Sequence, residues 1–434
     1  SGRDRLVELL EGDPTLVTEL RMQLMVSGAL ARSRPELSDE TFLRSALPHL
    51  KTVGEEAEEI FPGKVMTAIR FRRARRAVLA MAAVIALSGT VFFLSTGRKS
   101  GGGVTATLYS GEESGESREV RSGETLEFSK GVSRLEFQNG AVVAVEAPAS
   151  LLVRSPEEVL LHHGRLNAWC PETAHGFRVV TTSATLTDRG TSFGVSAEAD
   201  GTADFVVLDG KVEVEKDGET RTLLEGGAVR ANSQKGLRDL AFEPSPYQRT
   251  WPVASGIRTT RGEVIPAPPG TPETLAGLES DKHILVIPER RDFTLTSRIR
   301  VDITAPGTYH GNNLLANLPF GDRPAVKMRS YLLRYNPVGS LPKPGFRRFE
   351  GSVTFDRPVL AIIAGGKKLH QSDKLLSNSP LPALNPIDAG LRGLERGKNR
   401  DSDKVTLSQD RRTVTVIFYA GESIDEIRAI TADD

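Results

Sequence analysis

Side chains able to do covalent or metal chemistry are sparse in this chain, and the densest run of them spans His162 to Gly194. Gly190-Thr191-Ser192-Phe193-Gly194 matches the G-x-S-x-G pattern of serine hydrolases, where the serine sits on a sharp turn from a strand into a helix. The residues after Gly194 read as more strand and turn, so Ser192 lacks the elbow that would present it as a nucleophile. His162, His163, Cys170 and His175 fall within fourteen positions and invite a metal reading. Neighbours in a strand face opposite sides, which separates the two adjacent histidines, and the spacing fits no zinc pattern. Asp356, Asp373, Glu395, Asp401 and Asp403 could offer oxygens to calcium or a sugar, but scattered acids in turns read as solvated, and no site is assigned to them. Neither G-x-x-x-x-G-K-[ST] nor H-E-x-x-H occurs. The chain therefore reads as a non-enzyme with no cofactor and no metal.

The elements that carry these residues are strands. Val142–Val145, Phe177–Val180, Phe205–Leu208 and Val212–Val214 are short apolar or alternating runs, punctuated by Asn139-Gly140, Asp200-Gly201, Asp209-Gly210 and Asp217-Gly218. Asx-Gly pairs between such runs predict tight hairpin turns, because both residues tolerate positive φ. The spacing predicts an all-β region over 104–240, as a sandwich or a solenoid-like stack. Ile265-Pro266-Ala267-Pro268-Pro269-Gly270 reads as a stiff proline-rich linker, placed at 241–273. Beyond it, Phe293–Thr296, Arg298–Val301, Ser352–Phe355 and Thr413–Phe418 alternate as half-buried strands of a second, sandwich-like module over 274–434. Cys170 is the single cysteine, so no intrachain disulfide can hold either region, and both depend on their cores.

Ahead of the strands lies a different composition. Residues 77–96, AVLAMAAVIALSGTVFFLST, carry no charge, and at about 1.5 Å per residue they span a hydrocarbon core of roughly 30 Å. Arg70, Arg72, Arg73, Arg75 and Arg76 stand before this run and only Arg98 and Lys99 just after it. The positive-inside rule then puts the N-terminus in the cytoplasm and the β regions outside, as a single-pass inner-membrane protein whose span meets lipid and whose arginines fix its orientation. Residues 1–69 predict a small all-α domain. Asp13-Pro14 starts a helix whose Leu16, Leu20 and Leu24 repeat along one face, a surface suited to a partner, and a second helix begins near Ser38. Three short helices bury only a thin core, which favours a partner on that face. With 12 acidic and 8 basic side chains, a net of −4, this domain is not suited to direct nucleic-acid contact. The whole chain has 56 basic and 56 acidic residues, so no global attraction to polyanions is expected.

Several motifs resemble a known family. Gly164-Arg165-Leu166, Gly176-Phe177-Arg178-Val179, Gly190-Thr191-Ser192-Phe193-Gly194-Val195, Leu208-Asp209-Gly210-Lys211-Val212 and Leu224-Glu225-Gly226-Gly227 occur in the order and at the spacing of the FecR domain. The stretch Leu9–Leu30 resembles the N-terminal part of membrane-bound anti-sigma regulators, without the zinc-binding His and Cys of one subgroup. The resemblance implies a transmembrane regulator whose cytoplasmic helices bind an extracytoplasmic-function sigma factor while the outer domains sense an envelope ligand or protein. It implies that Gly190, Thr191, Phe193, Asp209 and Gly210 mark the motif. It also implies one reaction, since in some FecR relatives a Gly-Thr bond at this motif breaks spontaneously. The Thr hydroxyl attacks the preceding carbonyl to give an ester that water opens, and glycine supplies an unhindered carbonyl. A simple β-bulge at Gly190 accounts for the same pair without chemistry.

The runs Val301–Tyr309, Ser330–Leu333, Asn336–Gly339, Gly351–Phe355 and Arg392–Glu395 resemble an exported β-module often found with PEP-CTERM sorting tails, which implies no activity. A second function class stays open: a membrane-tethered envelope scaffold that binds wall polymer or another surface protein.

Overall fold

Alternation and Asx-Gly turns lead to the architecture that the computed structural model shows. It describes residues 103–110, 116–232, 235–338, 347–378, 392–394, 402–421 and 423–433. The expected helices of 1–69 with Leu16, Leu20 and Leu24, the arginines at 70–76 and the run 77–96 lie outside the described residues. Among the described residues no helix is long and apolar enough to cross a membrane. The described part is mostly β-sheet and belongs to one compact unit, Ser100–Asp434.

The first half of that unit is a 14-stranded antiparallel-rich sheet. β1 (Val104–Ser110), β2 (Glu116–Arg121), β3 (Glu124–Phe128) and β4 (Val132–Phe137) flank the long hairpin of β5 (Val142–Ser155) and β6 (Glu158–Trp169). Next come β7 (Arg178–Val180), β8 (Thr185–Asp188), β9 (Ser192–Ala197) and β10 (Ala203–Asp209), then β11 (Lys211–Lys216), β12 (Glu219–Leu224), β13 (Ala228–Asn232) and β14 (Lys235–Asp239). β6 divides the sheet into two branches. Its first residues pair with β7, which leads through β8 and β11 to β12, whereas Gly164–Trp169 pair with β9, which leads through β10 and β13 to β14. The branches enclose one core of inward residues such as Leu166, Leu186, Phe193, Phe205 and Val212, all with no exposure. The β11–β12 turn holds Asp217 at φ 51° and Gly218 at φ 84°, the two positive values that a two-residue hairpin turn demands.

The second half is a two-sheet sandwich. One sheet orders β15 (Ile257–Gly262), β21 (Arg347–Phe355), β24 (Thr413–Ala420), β23 (Lys404–Leu407) and β19 (Gly307–His310). The other orders β16 (Val264–Pro266), β17 (Ser280–Pro288), β20 (Leu318–Asn336), β25 (Asp425–Ala432) and β22 (Val359–Ile363), with β18 (Phe293–Val301) also on β20. Tyr331 and Tyr335 on β20 meet Phe355 and Phe349 on β21, each pair of centroids 4.5 Å apart, and these contacts join the two sheets at the centre of the core.

The segment 241–273 corrects the sequence reading. It is no linker: β15 and β16 are sandwich strands, paired with β21 and β17, so the second half begins by Ile257 rather than at 274. Proline is tolerated because β16 is an edge strand, where Pro266 withholds no needed ladder donor. Short helices α1 (Thr250–Ala254) and α2 (Pro272–Ala276) complete the stretch. Tyr247, Trp251 and Leu275 are buried with Val206 and Leu208 of the first half and Leu285 and Leu332 of the second, so this segment fills the seam between the halves.

Candidate functional site

Two crossings between the sheet branches bring the motif residues together. The chain leaves one branch at Asp188, the end of β8, and enters the other at Ser192, the start of β9, so Gly190-Thr191 is the crossing peptide. It returns from β10 to β11 through Asp209-Gly210. Gly190 has φ 91° and Gly210 φ 85°, and a Cβ on Gly210 would fall 2.4 Å from the Gly190 carbonyl oxygen. Both the positive dihedrals and the close approach require glycine. The irregularity in pairing lies on the partner strand β10, between Val207 and Asp209, and not at Gly190, which sits in the turn ahead of β9.

Thr191 is buried, and its hydroxyl donates to Oδ1 of Asp188. The other carboxylate oxygen, Oδ2, accepts the Gly190 N–H at 2.9 Å. The Thr191 carbonyl accepts the Cys170 N–H at 3.0 Å. Asp188 has no solvent exposure, and burial raises its carboxyl to about 7, partly opposed by the backbone donors of Gly190 and Thr191. The ring of His175 lies against Gly190, its Nε2 only 2.5 Å from where a Cβ would stand. Burial, with Asp188 nearby, also holds the Cys170 thiol well above its ordinary range. A β-hydroxyl, a buried carboxyl group that accepts its hydrogen bond and a glycine carbonyl are thus adjacent. Asp188 was legible in principle, as an acid two residues before a Gly-Thr pair, yet nothing in local alternation singles it out.

The remaining sequence candidates separate. Phe193 is a core residue of β9. Ser192 opens a strand, with no helix after it, so the hydrolase pattern has no elbow. Among the described residues no group of three or more His, Cys, Asp or Glu is placed to hold a metal ion. Asp356 and Asp373 are not solvated acids in turns, as their scatter suggested. Asp356 lies 2.6 Å from Arg134 and 3.1 Å from Arg329, and despite its burial these arginines keep its carboxyl below the usual range. Arg134 belongs to β4, and Arg357 also reaches back to Glu136 of β4 at 3.0 Å, so this network joins the two halves. Asp373, on α3 (Gly366–Leu376), takes Arg392 at 2.5 Å and Arg428 at 2.9 Å, which continue to Glu426 and Glu289. Glu395 and Asp401 lie outside the described residues.

A cleft of about 360 Å³ opens along the seam beside the crossing peptide, lined by Trp169, His175, Gly190, Asp209, Trp251 and Arg291 among others. Its wall from the second half carries no signal in the sequence, because Arg291 meets Trp169 across 122 positions of chain.

Comparison with known proteins covers all but the last of the motifs that resemble the FecR domain, Leu224–Gly227. The family model described as FecR protein matches residues 125–213. No curated protein matches the chain. Among solved structures, two of a candidate anti-sigma factor from Parabacteroides distasonis ATCC 8503 are similar. One is 21% identical with a TM-score of 0.24, over 28% of this chain and 62% of that one. The other is 15% identical with a TM-score of 0.26, over 46% of this chain and 85% of that one. Likeness of this degree carries no argument about partner or activity. What the family match identifies is a FecR-type domain at residues 125–213, embedded in a longer chain and built around the Gly190-Thr191 and Asp209-Gly210 crossings.

Proposed function

We propose that this chain is a FecR-type transmembrane signal regulator. Its N-terminal helices bind an extracytoplasmic-function sigma factor through the Leu16, Leu20 and Leu24 face, residues 77–96 anchor it in inner-membrane lipid, and its β unit senses an envelope signal. The observation that carries this reading is the FecR match at 125–213, beyond an apolar run with arginines on its leading side. Such domains regulate rather than turn over a substrate, which supports a non-enzyme. Thiol labelling tests the topology. Cys170 is buried, so an exposed Lys130→Cys variant reports alone. A membrane-impermeant maleimide labels it in cells with a permeabilised outer membrane and an intact inner one; labelling only after lysis contradicts the orientation.

A second reading concerns Gly190-Thr191, and the Thr191–Asp188 hydrogen bond favours it. Asp188 takes the hydroxyl proton as Thr191 Oγ1 bonds to the Gly190 carbonyl carbon. The C–N bond then breaks as the Thr191 nitrogen gains a proton, leaving an ester between Gly190 and Thr191. Water hydrolyses that ester to a Gly190 carboxylate and restores the hydroxyl. Mass spectrometry of the purified chain finds a fragment beginning at Thr191 if this occurs, and only intact chain if it does not.

A further inference from the structure

Arg291 stands in the turn between β17 and β18. Its guanidinium lies over Trp169 at the end of β6, 3.6 Å from the ring centroid. Nη1 donates to the Ala254 carbonyl at 2.9 Å. Nε and Nη2 are shut off from solvent and have no hydrogen-bond partner. These two atoms share one edge of the guanidinium, the edge whose parallel N–H groups grip a carboxylate in bidentate fashion.

Other arginines with a buried, unbonded nitrogen have a carboxylate beside them: Arg134 has Glu136, Arg165 has Glu146, Arg357 has Glu136 and Arg392 has Asp373. Among the described residues none forms an ion pair with Arg291. Of the acids near it, Glu289 pairs with Arg428 at 2.6 Å and Asp292 with Lys327 at 2.9 Å, while Asp209, Asp356 and Asp433 act on Arg291 through space without bonding these two nitrogens. Burial, reinforced by Arg329, lowers Arg291 to about 10, so it remains a cation at neutral pH. Arg291 as a whole is half-buried, but two buried guanidinium N–H groups left without acceptors are costly unless something completes them.

We infer that the seam cleft binds a small organic carboxylate, its two oxygens on the Nε–Nη2 edge of Arg291 and its body against the apolar wall of Leu208, Trp251 and Leu275. In the inferred complex the guanidinium turns off the indole so that this edge, closed to solvent in the structure, faces the cleft. The volume of about 360 Å³ suits a small metabolite rather than a polymer. The cleft also carries exposed His175 and Arg290 together with the acids Glu172, Asp209, Glu289 and Asp292, so the forked edge of Arg291, and not the net charge of the lining, is what selects a carboxylate. The inference does not rest on the regulator reading, since it uses only the seam.

Intrinsic fluorescence is a specific reporter, because the chain has two tryptophans and both line the cleft. The full chain in detergent is titrated to about 10 mM with benzoate and with glucuronate, and with benzamide and glucose as their uncharged counterparts. At least one carboxylate changes the emission saturably and raises the melting temperature, while its neutral counterpart does neither. Arg291→Gln weakens that response about 10- to 100-fold. Arg291→Lys, which keeps the cation but not the forked edge, weakens it comparably. Circular dichroism of both variants matches wild type. If neither carboxylate outdoes its neutral counterpart, or if the lysine variant responds like wild type, the inference is overturned.

Discussion

Asp188→Asn separates two roles of one carboxyl. Asn keeps an oxygen for the Gly190 N–H or the Thr191 hydroxyl but cannot take a proton. The folded carboxyl sits at about 7 against a reference of 3.8, a rise set by burial at the end of β8. A raised carboxyl binds its proton more tightly in the folded state, so its stabilisation is full below the unfolded value and is lost as pH rises towards 7. With about 1.4 kcal/mol per pH unit, the loss between pH 5 and pH 8 is ~2.5 kcal/mol. For a unit of this size that is a fall of roughly 4 °C in melting temperature. Thermal denaturation at the two pH values should show this fall in wild type in excess of that in Asp188→Asn, whose other groups titrate alike. The same samples are scored for a fragment starting at Thr191, which the variant should not yield. Equal pH dependence in both proteins refutes the burial argument. A Thr191 fragment from Asp188→Asn at wild-type yield refutes the proton-acceptor role.

Two further substitutions probe the seam and the crossings. Asp356→Asn leaves Arg134 and Arg329 buried without their shared carboxylate, and should cost about 3–5 kcal/mol in urea denaturation; a loss below about 1 kcal/mol contradicts a network that joins the halves. Gly218→Ala meets nothing within 4 Å and should cost only the ~1–2 kcal/mol of positive φ, whereas Gly210→Ala also strikes the Gly190 carbonyl and should cost clearly more; equal losses contradict the close packing of the two crossings.

Local rules made much of the fold legible. Asp217-Gly218 announced its hairpin because a two-residue turn needs positive φ at both positions. β24 was visible because Thr413–Ala420 alternates half-buried and buried residues along its whole length. What stayed hidden depends on distant partners. Ile265-Pro266 reads as linker until β17 lies beside it, and Asp356 reads as a solvated acid until Arg134, from more than two hundred positions earlier, packs against it. The candidate site divides in the same way. Gly190, Thr191, Asp209 and Gly210 stood out as turn and motif residues, while Asp188 drew its character from burial and Arg291 from the seam, neither of which a local pattern encodes.

The most direct measurement is copurification of the full chain from its host, with mass spectrometry of the bound proteins. A variant carrying Leu16→Glu, Leu20→Glu and Leu24→Glu serves as the comparison. Recovery of an extracytoplasmic-function sigma factor with wild type and its loss with the variant is the expected result. Repeated recovery of the chain without a sigma factor would contradict the regulator and leave the membrane-tethered scaffold as the better reading.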